Sequence, residues 1–118
     1  MRLHEVRDIL KAEVLFGEDQ LDSTVILGGG GADLMEDLMS AVAKGAALLT
    51  GLTTPQVIQT AKVAQVGAVV IVRGKRPSPE FLDLARTFNM PVLRTQYSMF
   101  VASGRLYMNG LRGLDGSW

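Results

Sequence analysis

A repeating unit in the second half of the chain limits the folds that this sequence can adopt. Two helix-like segments each begin with a hydroxyl residue followed by proline, at Thr54-Pro55 and Ser78-Pro79, and a short apolar segment comes before and after each helix. The prolines are 24 positions apart (79 − 55 = 24). The apolar positions share that offset: Val57 with Phe81, Ala61 with Ala85, and Ala64 with Phe88. Because proline after a hydroxyl cap is typical of a helix start, the unit predicts alternating strands and helices.

The same alternation of strands and helices is predicted for the whole chain. It predicts strands at residues 12–16, 25–27, 46–50, 68–72 and 92–93, and helices at residues 2–10, 34–44, about 55–66, about 79–88 and 97–107. Continuous apolar strands between helices are typical of a parallel sheet that is covered on both faces. We therefore predict an α/β fold with a mostly parallel central sheet of about five strands.

Composition excludes several classes of protein. The chain has no cysteine, which excludes disulfides, thiolate metal sites and cysteine nucleophiles. Twelve basic and 12 acidic residues balance, so binding to nucleic acid by phosphate neutralisation is not expected. The charged first residues are unlike a signal peptide, and no apolar run approaches the roughly 20 residues that span a bilayer. We expect a cytoplasmic protein that binds neither nucleic acid nor membranes.

Residues for catalysis are scarce. The only histidine, His4, lies on the first predicted helix, and the glycine run carries no Gly-Lys-Ser/Thr that would make a phosphate-binding P-loop. Asp33, Glu36 and Asp37 could offer oxygens to a hard cation, but acids in a first helical turn are more typical of a cap. We predict no catalytic residue, no metal site and no cofactor.

A candidate ligand site follows from the predicted sheet, because ligands of parallel sheets bind beyond the carboxyl ends of the strands. Four loops should meet there, and their glycine N–H groups, hydroxyls and cations suit a small anionic metabolite or a nucleotide. The candidate residues are Gly28, Gly29, Gly30, Gly31, Thr50, Gly51, Thr53, Thr54, Arg73, Lys75, Arg94 and Thr95. The alternatives are that the four glycines form a turn without a ligand and that the basic residues belong to a solvated loop.

Two predicted helices are apolar over a wide arc, which requires burial on more than one side. The residues concerned are Met35 and Met39 on the second helix and Met99 and Phe100 on the last. In so small a domain they indicate either a subunit interface or core. We predict a homodimer, and an acidic protein partner is an alternative ligand for the basic residues at the strand ends.

Several segments resemble the DRTGG domain family: TGLTTPQVIQTA at residues 50–61, VVIVRG at 69–74, PEFLDLA at 79–85, MPVLRT at 90–95 and GADLM at 31–35. The second half also resembles the N-terminal domain of HPr kinase/phosphorylase. The resemblance covers nearly all of residues 1–112, and the glycine-rich composition at the end of the chain predicts a flexible tail at 113–118. It implies a three-layer α/β/α domain without catalytic machinery, which regulates or assembles, often as a dimer. The letters DRTGG themselves are absent, so no site is carried over.

The sequence therefore predicts a non-catalytic regulatory domain that senses a ligand or assembles as a homodimer. The alternative is a small enzyme, or an accessory of phosphate transfer, that acts on an anionic metabolite.

Overall fold

The computed structural model describes residues 1–33 and 44–113 of the 118-residue chain. The α-helices in these ranges are α1 (Leu3–Leu10), α2 (Gln56–Ala64), α3 (Pro79–Phe88) and α4 (Met99–Met108). The strands are β1 (Glu13–Phe16), β2 (Gly28–Gly31), β3 (Ala46–Thr50), β4 (Ala68–Ile71) and β5 (Val92–Arg94). No helix in the described part of the chain is both long enough and apolar enough to cross a membrane.

The five strands form one sheet in the order β1-β5-β4-β3-β2. Strands β2 to β5 are parallel, and β1 pairs antiparallel with β5. The predicted α/β class and the mostly parallel five-stranded sheet are confirmed.

Strands β3 and β4 are apolar except for Thr50 at the end of β3, as expected for strands with both faces covered. Leu48 points to the layer of α2 and α3, whereas its neighbour Leu49 points to the layer of α1 and α4. Val69 and Val70 of β4 divide between the two layers in the same way. Successive side chains of a strand point to opposite faces, so each face has its own closed core. The fold has three layers, α/β/α.

The sequence repeat corresponds to α2 and α3, which lie on the same face of the sheet. Val57 and Ala61 of α2 are buried in one cluster with Phe81 and Ala85 of α3. The predicted cap of α3 is confirmed, because Ser78 Oγ accepts a hydrogen bond from the backbone N–H of Phe81 at 3.2 Å. The matching cap of α2 was predicted wrongly. That helix starts at Gln56, and its first turn has no side-chain cap.

The four glycines were also predicted wrongly. They do not form a turn after a strand at residues 25–27, because they are themselves the edge strand β2, paired with β3. Close packing explains why these positions are occupied by glycine. A Cβ on Gly29 would stand 3.0 Å from Leu111 Cδ2, and a Cβ on Gly31 would stand 2.6 Å from Met99 Sδ. The apolar side chains of and after α4 therefore lie directly on the backbone of β2.

Two other predictions concern residues at the borders of the described ranges. The predicted helix at 34–44, with Met35 and Met39, lies outside the described residues except for its last position. Of the predicted flexible tail 113–118, the structure describes only Gly113, which forms a parallel bridge with Gly29.

The last helix, α4, starts two residues later than predicted. Ser98 Oγ accepts a hydrogen bond from the N–H of Val101 and caps the helix at this point.

Candidate functional site

The carboxyl ends of the four parallel strands meet at one edge of the sheet, and backbone hydrogen bonds join the loops that follow them. The N–H of Val72 donates to the carbonyl of Thr50 at 3.0 Å, and the N–H of Gly74 donates to that of Thr95 at 2.8 Å. On the other side of β3, the N–H of Ala32 donates to Leu49 at 3.0 Å. This carboxyl edge is therefore a connected surface, as the parallel pairing predicts.

Gly51 is the centre of this edge, and charged groups surround it. The residue is buried, and its N–H donates to Asp33 Oδ1 at 2.8 Å. A Cβ built on Gly51 would stand 3.1 Å from Arg73 Nη2, 3.5 Å from Asp33 Oδ1 and 3.7 Å from Lys75 Nζ. Two cations and one carboxylate thus converge on one point of the backbone. Glycine leaves the space between them open.

Arg73 is held in an unusual backbone conformation that turns the loop after β4 back over the sheet edge. Its φ is +59° and that of Gly74 is +65°. For a residue with a side chain, this left-handed region costs roughly 1–2 kcal/mol. The N–H of Arg73 donates to the carbonyl of Tyr97 at 2.8 Å, which fixes the turn. Strain of this kind is often found at binding sites.

The side chains of Arg73 and Lys75 are both exposed. Within residues 1–33 and 44–113, neither side chain has an ion pair or a hydrogen bond. A ligand can therefore reach both cations without breaking an existing contact.

Arg94 and Thr95 have structural contacts instead. The Arg94 side chain is only 11% exposed, and its guanidinium donates to the Gly74 carbonyl and pairs with Glu13 at 2.9 Å. Thr95 is buried, and its hydroxyl donates to the carbonyl of Leu10 at 2.7 Å. Both residues were predicted as ligand-binding residues and lie at the carboxyl edge, but their polar groups support the loops of that edge.

The threonines and glycines of the predicted site also differ in their burial and in their distance from the carboxyl edge. Thr50 is fully buried, and its hydroxyl lies 3.4 Å from Asp33 Oδ1 and accepts from the N–H of Leu52. Thr53 is half-buried and Thr54 exposed in the same loop. Of the four glycines only Gly31 approaches the edge, because Gly28 pairs with Ala46 at the start of β3. Gly28, Gly29 and Gly30 therefore belong to the body of β2.

Asp33 is the residue of this edge that sequence reasoning assigned to another role. The sequence favoured a helix cap over a metal ligand for Asp33, and the helix concerned lies outside the described residues, as do Glu36 and Asp37. In the described part of the chain, the Asp33 carboxylate contacts the end of β3. In the described ranges, no three histidine or acidic side chains come close enough together to hold a metal ion.

The predicted interface residues of α4 differ in how far they are exposed. Phe100 is 86% exposed and Met108 is 85% exposed, whereas Met99 is half-buried against the core. Gly104 lies between Phe100 and Met108 at four-residue spacing, so the three share one face of the helix. Met99 belongs to the packing on Gly31, and Phe100 to an open apolar surface.

A hollow of about 140 Å³ lies between β2 and the end of α4. Leu49, Leu106 and Leu111 line it, together with the backbone of Gly29 and Gly30. Its walls are mainly apolar, and transferring a charge into such surroundings without a partner is strongly unfavourable. The carboxyl edge is therefore the better candidate for an anionic ligand.

Comparison with known proteins gives one family match and several structural matches. The family model described as "DRTGG domain" matches residues 5–108. No curated protein matches the chain. Seven chains of known structure match, among them the CBS and DRTGG domains of the regulatory region of Clostridium perfringens pyrophosphatase, complexed with its activator diadenosine tetraphosphate. That chain is 22% identical with a TM-score of 0.69, and the match covers 89% of this chain and 45% of the other. The likeness shows a shared fold, and the chain spans less than half of that relative.

Proposed function

The chain belongs to the DRTGG domain family, and from this premise we propose that it is a regulatory domain that senses a phosphate-bearing small molecule at the carboxyl edge of its sheet. The observation that carries the proposal is the convergence of Arg73 and Lys75 on Gly51. The relative with the same fold was crystallised with a dinucleotide activator, so nucleotides are the first ligands to test.

The donors of this edge suit a phosphate. A guanidinium offers two parallel N–H groups to two phosphate oxygens, and an ammonium adds a point charge. Hydrogen bonds to charged groups contribute roughly 1.5–3 kcal/mol each, and about 8 kcal/mol corresponds to micromolar affinity. Because Arg73 and Lys75 are exposed, salt should weaken this binding.

We further propose that the domain acts as a homodimer through the exposed face of α4. Phe100 and Met108 present apolar surface, and Gly104 between them allows a close approach of a second helix. A two-fold dimer brings the same patch of both copies together, so one apolar face can cover another.

The ligand site and this face are joined by a short path. The carbonyl of Tyr97 accepts the N–H of Arg73 at 2.8 Å, and α4 starts two residues after Tyr97. A ligand that repositions the loop of Arg73 would therefore act on the start of α4. In this proposal, the coupling between ligand and dimer passes through that hydrogen bond.

A thermal-shift screen tests the sensing function. The panel comprises nucleoside mono- and diphosphates, dinucleoside polyphosphates, sugar phosphates and acyl phosphates at low salt. Ligand at one hundred times its dissociation constant should raise the free energy of unfolding by about 2.7 kcal/mol. A panel without any shift, or a shift that does not depend on Arg73, would overturn the proposal.

A further inference from the structure

Asp33 occupies the position at which an anionic ligand would have to bind. Its Oδ1 accepts the N–H of Gly51 at 2.8 Å and lies 3.4 Å from the hydroxyl of Thr50. The same oxygen stands beside the open space on Gly51 that Arg73 and Lys75 also approach. A backbone N–H, a hydroxyl and two cations are a set of donors for one anion, and the chain's own carboxylate takes two of them.

We propose that Asp33 is the resident anion of the ligand-free site and that the ligand must displace it. This inference rests on the proposed sensing function and adds how the site is controlled and which ligands can enter it. The N–H of Gly51 has a single hydrogen, so Asp33 and a phosphate oxygen cannot both bind it in full. Asp33 is exposed, so its carboxylate can move into water without burying a charge.

The competition selects a class of ligand. Asp33 is attached to the end of β2, which keeps it at a high effective concentration next to Gly51. A free carboxylate carries the same single charge and the same type of oxygen, so it gains nothing over Asp33. A terminal phosphate carries a charge of about −1.5 to −2 at neutral pH and three acceptor oxygens. Simple carboxylates are therefore excluded, and the ligand bears a phosphate, either terminal or within a polyphosphate chain whose several charges also exceed that of Asp33.

Calorimetric titration of the full chain with inorganic phosphate at low ionic strength tests the inference. Asp33→Asn removes the competing charge but keeps the shape and one acceptor oxygen. We expect it to bind phosphate about tenfold more tightly than the wild type, since a like charge at contact distance is removed. Asp19→Asn makes the same change of charge in the 3₁₀ turn after β1, at the opposite edge of the sheet, and should bind as the wild type does.

A second measurement needs no variant. In isotope-labelled wild-type protein, phosphate should shift the Asp33 carboxyl carbon and the Gly51 amide resonance together, with one dissociation constant. Equal or weaker binding by Asp33→Asn, or saturation that leaves the Asp33 carboxyl unmoved, would refute the displacement and leave the sensing function standing. If neither the wild type nor Asp33→Asn binds any phosphate, the inference and the proposed function both fall.

Discussion

The Arg94 guanidinium donates twice to the carbonyl of Gly74, from Nε at 3.0 Å and from Nη2 at 2.8 Å. It thereby ties the loop that carries Arg73 and Lys75 to the end of β5. Two arginines at the carboxyl ends of neighbouring parallel strands, one within β5 and one after β4, thus have different roles. Arg94 fixes the loop, whereas the side chain of Arg73 extends from the loop towards Gly51.

Replacing Arg94 with alanine should destabilise the fold. The change leaves the Gly74 carbonyl without its donor, and hydrogen bonds to a charged group contribute roughly 1.5–3 kcal/mol. We expect a loss of about 2 kcal/mol in the free energy of unfolding, measured by urea denaturation. Arg94→Lys should recover only part of it, because an ammonium cannot bind in the same forked geometry. Unchanged stability of Arg94→Ala would contradict the structural role.

Replacing Arg73 with alanine should leave the stability of the ligand-free protein unchanged and abolish ligand binding. The side chain is exposed and has no partner in the described part of the chain, so the ligand-free melting temperature should stay within about 2 °C. The ligand-induced thermal shift should disappear. Arg76→Ala, an exposed cation of the same loop, is the matched control and should keep the shift. If both variants lost the ligand-induced shift, the ligand would respond to the overall positive charge of the loop and not to a specific site at Arg73.

Thr95→Val should destabilise the protein although it barely changes the volume of the side chain. The hydroxyl is buried and donates to the carbonyl of Leu10, which would be left without a donor. The expected loss is about 1–3 kcal/mol. Thr87→Val removes an exposed hydroxyl that donates to Asp83 within α3, and should change stability by about 0.5 kcal/mol or less. Equal losses in the two variants would argue against a special role of the buried bond.

Gly74→Ala should distort the loop of Arg73. Its φ is +65°, and a Cβ would collide with the side chain of Gln96. We expect a loss of about 1–2 kcal/mol from the backbone conformation, because the exposed end of the Gln96 side chain can move away from the new Cβ at little cost. The Gln96→Ala background separates the two causes, because it removes the collision and leaves the backbone cost. Gly74→Ala should cost the same in both backgrounds, and a clearly smaller cost in the Gln96→Ala background would contradict the backbone explanation.

Phe100→Asp should convert the proposed dimer to monomers without unfolding them, because the side chain is 86% exposed and carries little of the core. Light scattering at micromolar concentration reports the mass. Val63→Asp places the same charge on another exposed apolar residue, on α2, and should leave the mass unchanged. A wild-type protein of monomer mass would refute the dimer directly.

The sequence by itself determined the three-layer fold. Apolar runs of four or five residues can be buried on both faces only when helices cover both sides of the sheet. The 24-residue repeat of Val57 with Phe81 and of Ala61 with Ala85 also settled that α2 and α3 are equivalent, because the same apolar positions fit the same face. The resemblance to DRTGG domains is confirmed over residues 5–108.

Tertiary structure decided what the glycines and the charged residues do. A glycine run has no side-chain pattern, so only the pairing with β3 and the close approach of Met99 and Leu111 make it a strand. Arg73 and Arg94 look equivalent in sequence, since each follows an apolar strand. They differ because one continues in a left-handed turn and the other lies against the carbonyl of Gly74. Such differences depend on contacts between loops far apart in the chain, which no local pattern encodes.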